Sequence, residues 1–153
     1  MTAREELFAP FRPRATRAIS AGLAALTLAG ATVIAVLMPR SENVTFGPGD
    51  VVGTYALALA ICWFCYRQFS VAAVPDAAGI TVRNLLLTRR VEWAQIVLVR
   101  FGDGRPWAQL DLADGETLAV MGVQAADGAR GVAEARRLAT LVALHEPRGR
   151  AGG

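Results

Sequence analysis

Hydrophobic and polar positions follow one rule before Arg67 and another after it. From Ile19 to Met38 twenty residues pass without a charge. At about 1.5 Å per residue a helix of that length reaches roughly 30 Å, the thickness of a bilayer core. A second apolar run, Val51 to Tyr66, is shorter, and Trp63, Phe64 and Tyr66 near its end suit a membrane interface. Between the runs, PRSENVTFGPGD (Pro39–Asp50) has the Pro, Gly and Asn content of a tight hairpin loop, so two antiparallel spans are expected, about 19–38 and 51–66.

After Arg67 the apolar stretches shorten and alternate. FSVAAVPDAAG predicts two strands around a turn at Pro75, Asp76 and Gly79. In ITVRNLLL, Ile80 and Val82 oppose Thr81 and Arg83 until the alternation slips at Asn84, as at a bulge or bend, and a further turn is expected near TRR. Three more strands are predicted, Ile96 to Phe101, Trp107 to Leu112 and Thr117 to Val123, separated by GDGRP and by the hairpin signal ADG. In the middle one, Ala108, Leu110 and Leu112 form an apolar face that needs a partner. GARGVAEARRLATLVALHE supplies it as a helix, with Val132, Ala135, Leu138, Ala139 and Val142 on one stripe and Glu134, Arg136 and Arg137 turned away. Asp127 is the expected N-cap and Pro147 the stop, and the Gly-rich remainder at 147–153 reads as a disordered tail.

The fold class predicted is thus α+β. A short N-terminal segment (1–18) precedes a two-helix transmembrane hairpin (19–66), which is followed by an antiparallel β unit closed by one helix (69–146). Arg4, Arg12, Arg14 and Arg17 precede the first run, Arg40 alone lies in the loop and Arg67 closes the second. This bias puts both termini in the cytoplasm of a two-pass cell-membrane protein. Small residues at 29–31 (AGA) would suit a signal peptidase, but the run is long for a signal core. Ala21, Ala25 and Ala29, with Ala56 and Ala60, are expected to let the two helices of the hairpin approach closely, with contact to a third helix as the alternative. The NVT triplet at Asn43 is read as chance.

Composition removes several functions. The chain has 153 residues and a net charge of +3, and its sixteen basic residues are all dispersed Arg, so nucleic acid is not an expected partner. Cys62 and Cys65 lie inside the second apolar run, away from thiol partners and further metal ligands, and read as small buried hydrophobes. His145, the only histidine, sits at a helix end where its charged form would suit the helix dipole. Asp111 and Asp114 flank a turn that accounts for them, Ser70 has no local base, and GDGRP lacks the Lys and helix of a phosphate loop. No catalytic residue, metal ligand, cofactor or small-molecule substrate is therefore expected.

A curved antiparallel meander closed by one C-terminal helix resembles a pleckstrin-homology (PH) domain. More closely it resembles the bacterial PH-like domains of small actinobacterial membrane proteins, such as low molecular weight protein antigen 6. The resemblance covers residues 69–146. It is carried by Asp76 with Gly79, VRN at 82–84, RVEW at 90–93 with Ile96 and Phe101, Trp107 with Leu110 and Leu112, and Asp114 with Gly115. It implies a β-barrel or sandwich, with Gly79, Asn84, Trp93, Ile96, Trp107, Asp114 and Gly115 specifying the fold. Gly79 and Gly115 should turn the chain, and Trp93 with Ile96 should cover one end of the sheet from a short helical turn. About six strands can be counted where a full PH domain has seven, which leaves the N-terminal strand or the one near RRV short or irregular. The first turn, VPDAAG, has an acid and no base, so phosphoinositide recognition is not implied. Arg67, Arg83, Arg89 and Arg90 remain candidates for contact with anionic headgroups.

The expected function is binding or scaffolding of a protein partner at the cytoplasmic membrane face, or self-association. The alternatives are a small accessory subunit of a larger membrane complex and the sensing of anionic lipid.

Overall fold

The structure, a computed structural model, describes residues 2–40 and 45–145. The expected tail at 147–153, the stop at Pro147 and the triplet at Asn43 lie outside them. The chain divides into two compact units: Thr16–Phe69, and the described residues up to Ala15 together with those from Ser70 onward.

The first of these holds two long apolar helices. The helix α1 (Ala3–Leu7) precedes them in the other unit; α2 (Arg14–Leu37) and α3 (Pro48–Phe69) are both long and apolar enough to cross a membrane. Each is longer than the apolar run that predicts it. Helix α3 starts inside the expected loop because Pro48 is preorganised for a first helical position, and the Asp50 carboxylate accepts from the Gly47 N–H at 2.8 Å. The helices meet where the Cys62 thiol reaches the Ala24 carbonyl at 3.8 Å and the Tyr55 hydroxyl reaches that of Thr32 at 3.4 Å. Ala31, Ala58 and Cys65 are buried, whereas Ala21, Ala25, Ala29, Ala56 and Ala60 are exposed. The small-residue rows expected to close the hairpin therefore lie outside it.

The other unit is α+β. Its strands are β1 (Ala72–Pro75), β2 (Gly79–Arg83), β3 (Thr88–Glu92), β4 (Ile96–Arg100), β5 (Trp107–Leu112) and β6 (Thr117–Gln124), and α4 (Ala129–His145) ends the described chain. They form two three-stranded antiparallel sheets, β1-β2-β3 and β4-β5-β6, with no closed barrel among the described residues. Ile80, Val82 and Val91 of one sheet, Ala108, Leu110 and Val120 of the other, and Leu138 and Leu141 of α4 share a single buried core.

Strand β3 corrects the expected turn at TRR. Thr88, Arg89 and Arg90 pair with Arg83, Val82 and Thr81, and the turn is made by Asn84 to Leu87, where the Asn84 N–H donates to the Leu87 carbonyl at 2.8 Å. The sequence hides this strand because it is an edge whose only buried residue is Val91, and polar edge strands do not alternate. The helix stripe also needs correction. Gly131, Ala135, Leu138, Leu141 and Val142 are buried in α4, while Val132 and Ala139 are exposed. Asp127 does not cap α4. Its carboxylate accepts from the N–H groups of Arg14 and Ala15 at 3.1 and 2.8 Å.

The segment before α2 belongs to this unit. Phe11 is fully buried and forms a one-residue antiparallel bridge with Ala73, exchanging bonds of 2.8 and 3.0 Å. A seventh strand, in effect one residue long, thus comes from ahead of both long helices. Arg137, expected on the outer face of α4, instead stacks 3.8 Å over the Phe11 ring and donates to the carbonyls of Glu6, Leu7 and Ala9. Gly122 allows the closeness: a Cβ there would lie 2.9 Å from the Ala73 nitrogen and 3.0 Å from the Phe11 carbonyl oxygen.

Candidate functional site

The fold-specifying residues act mostly through backbone contacts. Gly115 has φ of 87° in the β5–β6 turn, which favours glycine. Gly79 opens β2 and closes the β1–β2 turn, its carbonyl accepting from the Asp76 N–H at 2.8 Å and its N–H donating to the Asp76 carboxylate at 3.0 Å. It is needed there because a Cβ would come 2.2 Å from the Val91 carbonyl oxygen. The Asn84 side chain joins the sheets, donating to the Ala119 carbonyl at 2.7 Å and accepting from the Met121 N–H at 3.1 Å. Trp93, in a 3₁₀ turn with Ile96 just after it, is buried, and its indole N–H donates to the Asp76 carbonyl at 2.8 Å. Asp114 accepts from the Glu116 N–H at 2.9 Å, and Trp107 is half-buried at the start of β5.

His145 stacks on Trp93 with ring centroids 5.1 Å apart, and its Nδ1 lies 2.8 Å from the Leu141 carbonyl, so it closes the end of the core. Asp111 is bound to Arg100 at 2.6 Å. No group of three or more potential metal-ligating side chains occurs among the described residues.

The four arginines considered for headgroup contact are divided between the two units, and the three of the β unit hold different partners. Arg67 lies in the last turn of α3. Arg83 donates to the Ser70 carbonyl at 2.8 Å. Arg89 pairs with Glu116 and Asp114, and the Glu116 hydrogen bond holds its guanidinium pKa above the usual value. Arg90 grips both carboxylate oxygens of Asp76 at 2.7 and 3.0 Å, which raises its own pKa. The same bond, joined by the N–H groups of Ala78 and Gly79, holds the Asp76 carboxyl below its usual range.

Two exposed apolar features stand outside this framework. The first is a groove between β4 and α4. Val97, Leu98 and Val99 line it on one side and Ala139, Val142 and Ala143 on the other. It continues past Phe101, Val132 and Arg136. Strand β4 is hydrogen-bonded to β5 on one side only, and a register shift between Ile96 and Leu98 turns Val97 and Leu98 outward. An unpaired edge beside an apolar trough can take up an extended segment as an added strand. Sequence reading missed the groove because Val97 to Val99 look like an ordinary core strand. The second feature is the β2–β3 turn, where Leu86 and Leu87 are 74% and 76% exposed.

Residues 71–140 match the family model described as Bacterial PH domain. Uncharacterised proteins of Mycobacterium bovis and Mycobacterium tuberculosis are each 37% identical to the chain over 116 residues, which is 73% of this chain and 73% of theirs. No solved structure matches significantly.

Proposed function

The chain belongs to the family of these mycobacterial proteins and carries their bacterial PH domain, and from that premise we propose that it is a membrane-tethered binding module. In this reading α2 and α3 span the cell membrane as a hairpin, and the β unit holds an extended segment of a protein partner in the β4–α4 groove. The role is binding or scaffolding, not catalysis. The likeness to low molecular weight protein antigen 6 is a finer kinship within the same reading.

The groove carries the proposal: an unpaired strand edge, three apolar side chains of β4 and a facing helix of small residues. Backbone pairing would supply affinity, and the troughs for alternate side chains would supply selectivity. The membrane part rests on two helices of spanning length. It is supported by a folded unit built from residues on both flanks of those helices, an arrangement that fits a hairpin with both flanks on the same side. The excess of Arg before α2 favours the cytoplasmic side. The accessory-subunit alternative draws on the exposed Ala21, Ala25 and Ala29 face, which lipid would cover equally well.

The test places a photo-crosslinking residue at Leu98 or at Ala77 in the full chain, expressed in a mycobacterial membrane. A discrete protein adduct is expected from Leu98, absent from Ala77 and lost when Ala139→Arg fills the groove. No adduct from Leu98, or one indifferent to Ala139→Arg, would overturn the reading.

A further inference from the structure

Leu86 and Leu87 are the most exposed large apolar side chains of the β unit, and they stand together at the tip of a two-strand turn. Nothing in the core requires them. Their neighbour Asn84 already fixes the turn to β6 through Ala119 and Met121, and the Asn84–Leu87 backbone bond closes it. A rigidly held turn that displays two leucines to water incurs a hydrophobic cost that solvent exposure does nothing to offset.

The register says which end of the sheet this is. Ala72 pairs with Arg83, and Pro75 with Ile80, so the beginning of β1 and the β2–β3 turn share one end while the β1–β2 turn lies at the other. The chain enters that end from Ser70, the residue after α3, and Arg83 is bonded to the Ser70 carbonyl. The leucine tip therefore sits at the end of the sheet where the chain arrives from an apolar helix of spanning length. Arg89 is balanced by Glu116 and Asp114, and Arg90 holds Asp76 toward the other end of the sheet, so of the arginines flanking the turn Arg83, bonded to a backbone carbonyl, brings a net positive charge. Two exposed leucines flanked by an arginine whose charge stays in the wet layer suit the interfacial zone of a bilayer, where apolar side chains insert and a basic one stays at headgroup level.

We infer that the β2–β3 turn is a second, non-spanning membrane contact, in which Leu86 and Leu87 insert into the lipid interface and fix the β unit against the bilayer. This rests on the membrane reading above. It differs from headgroup recognition by arginine in depending on apolar insertion, and so in holding on neutral as well as anionic lipid.

The full chain, with Cys62→Ala and Cys65→Ala, is reconstituted into bilayers carrying a nitroxide high on the acyl chain. An environment-sensitive fluorophore is attached at Leu86→Cys or, at the opposite end of the same sheet, at Ala77→Cys. The Leu86 label should be blue-shifted and quenched several-fold more than the Ala77 label, in phosphatidylcholine alone and with added phosphatidylglycerol. Equal, weak quenching at both sites in protein that resists carbonate extraction would overturn this inference alone. Quenching at Leu86 only with phosphatidylglycerol would replace it with charge-driven headgroup binding. Protein released by carbonate would overturn the membrane reading, and this inference with it.

Discussion

Arg137 contacts three backbone carbonyls, one aromatic ring and Glu134, with a side chain only 19% exposed. Charged donors to carbonyls in such surroundings contribute more than surface pairs do. Arg137→Ala should cost about 2–3 kcal/mol and should raise hydrogen exchange in residues 4–11 while α4 stays protected. Uniform deprotection would argue against the clamp. Nothing in the sequence distinguishes Arg137 from its neighbour Arg136. Helical spacing puts both on the polar side, and only the arrival of Phe11 from far upstream gives one of them a partner. Asp76 is legible by contrast, because a turn aspartate next to Gly is local chemistry. Its carboxyl titrates lower in the folded state than in the unfolded, so the Arg90 pair stabilises the fold above the unfolded range. That contribution is lost as pH falls below about 4. Asp76→Asn should therefore melt below the parent at neutral pH, and the gap should narrow as pH falls below about 4, followed by near-ultraviolet circular dichroism. A gap that stays constant over this range would contradict the assignment.

Elements were readable where one face is buried and the other wet. Strand β5 follows its apolar periodicity, its burial alternating along its whole length, while α4 buries Ala135, Leu138 and Val142 of the expected stripe and leaves Val132 and Ala139 exposed. Strand β3 was readable only as a short or irregular strand near RRV, since an arginine-rich edge has no period, and the one-residue bridge at Phe11 has no pattern of its own. The start of α1 could have been read: Thr2 and Glu5 form a capping box, with bonds of 2.7 and 3.3 Å, from the spacing T-x-x-E. The groove depends on how α4 is seated, and that seating depends on Gly131, where a Cβ would lie 2.1 Å from the Gln124 carbonyl oxygen. Gly131→Ala should push the first turn of α4 away and destabilise the unit by roughly 1–3 kcal/mol. Chemical denaturation would show it, and an unchanged midpoint would contradict the packing. Val97→Ser, at an exposed position, should leave stability within about 0.5 kcal/mol while weakening the adduct formed from position 98.

At the scale of the molecule, the β unit is assembled from residues on both sides of a pair of spanning-length helices: Phe11 before them and Arg14 at the start of the first, Ala73, Asp127 and Arg137 after the second. Such a unit cannot form if a membrane separates its two parts. The sequence indicates two apolar runs of spanning length and the arginine bias, but the mutual dependence of the two flanks is tertiary and appears only in the fold. The most direct test is labelling with a membrane-impermeant maleimide in intact bacterial spheroplasts, using Arg4→Cys and Ala77→Cys in a background lacking Cys62 and Cys65. The account predicts that both positions are shielded in intact spheroplasts and both react once the membrane is permeabilised. Labelling of either from outside would contradict it.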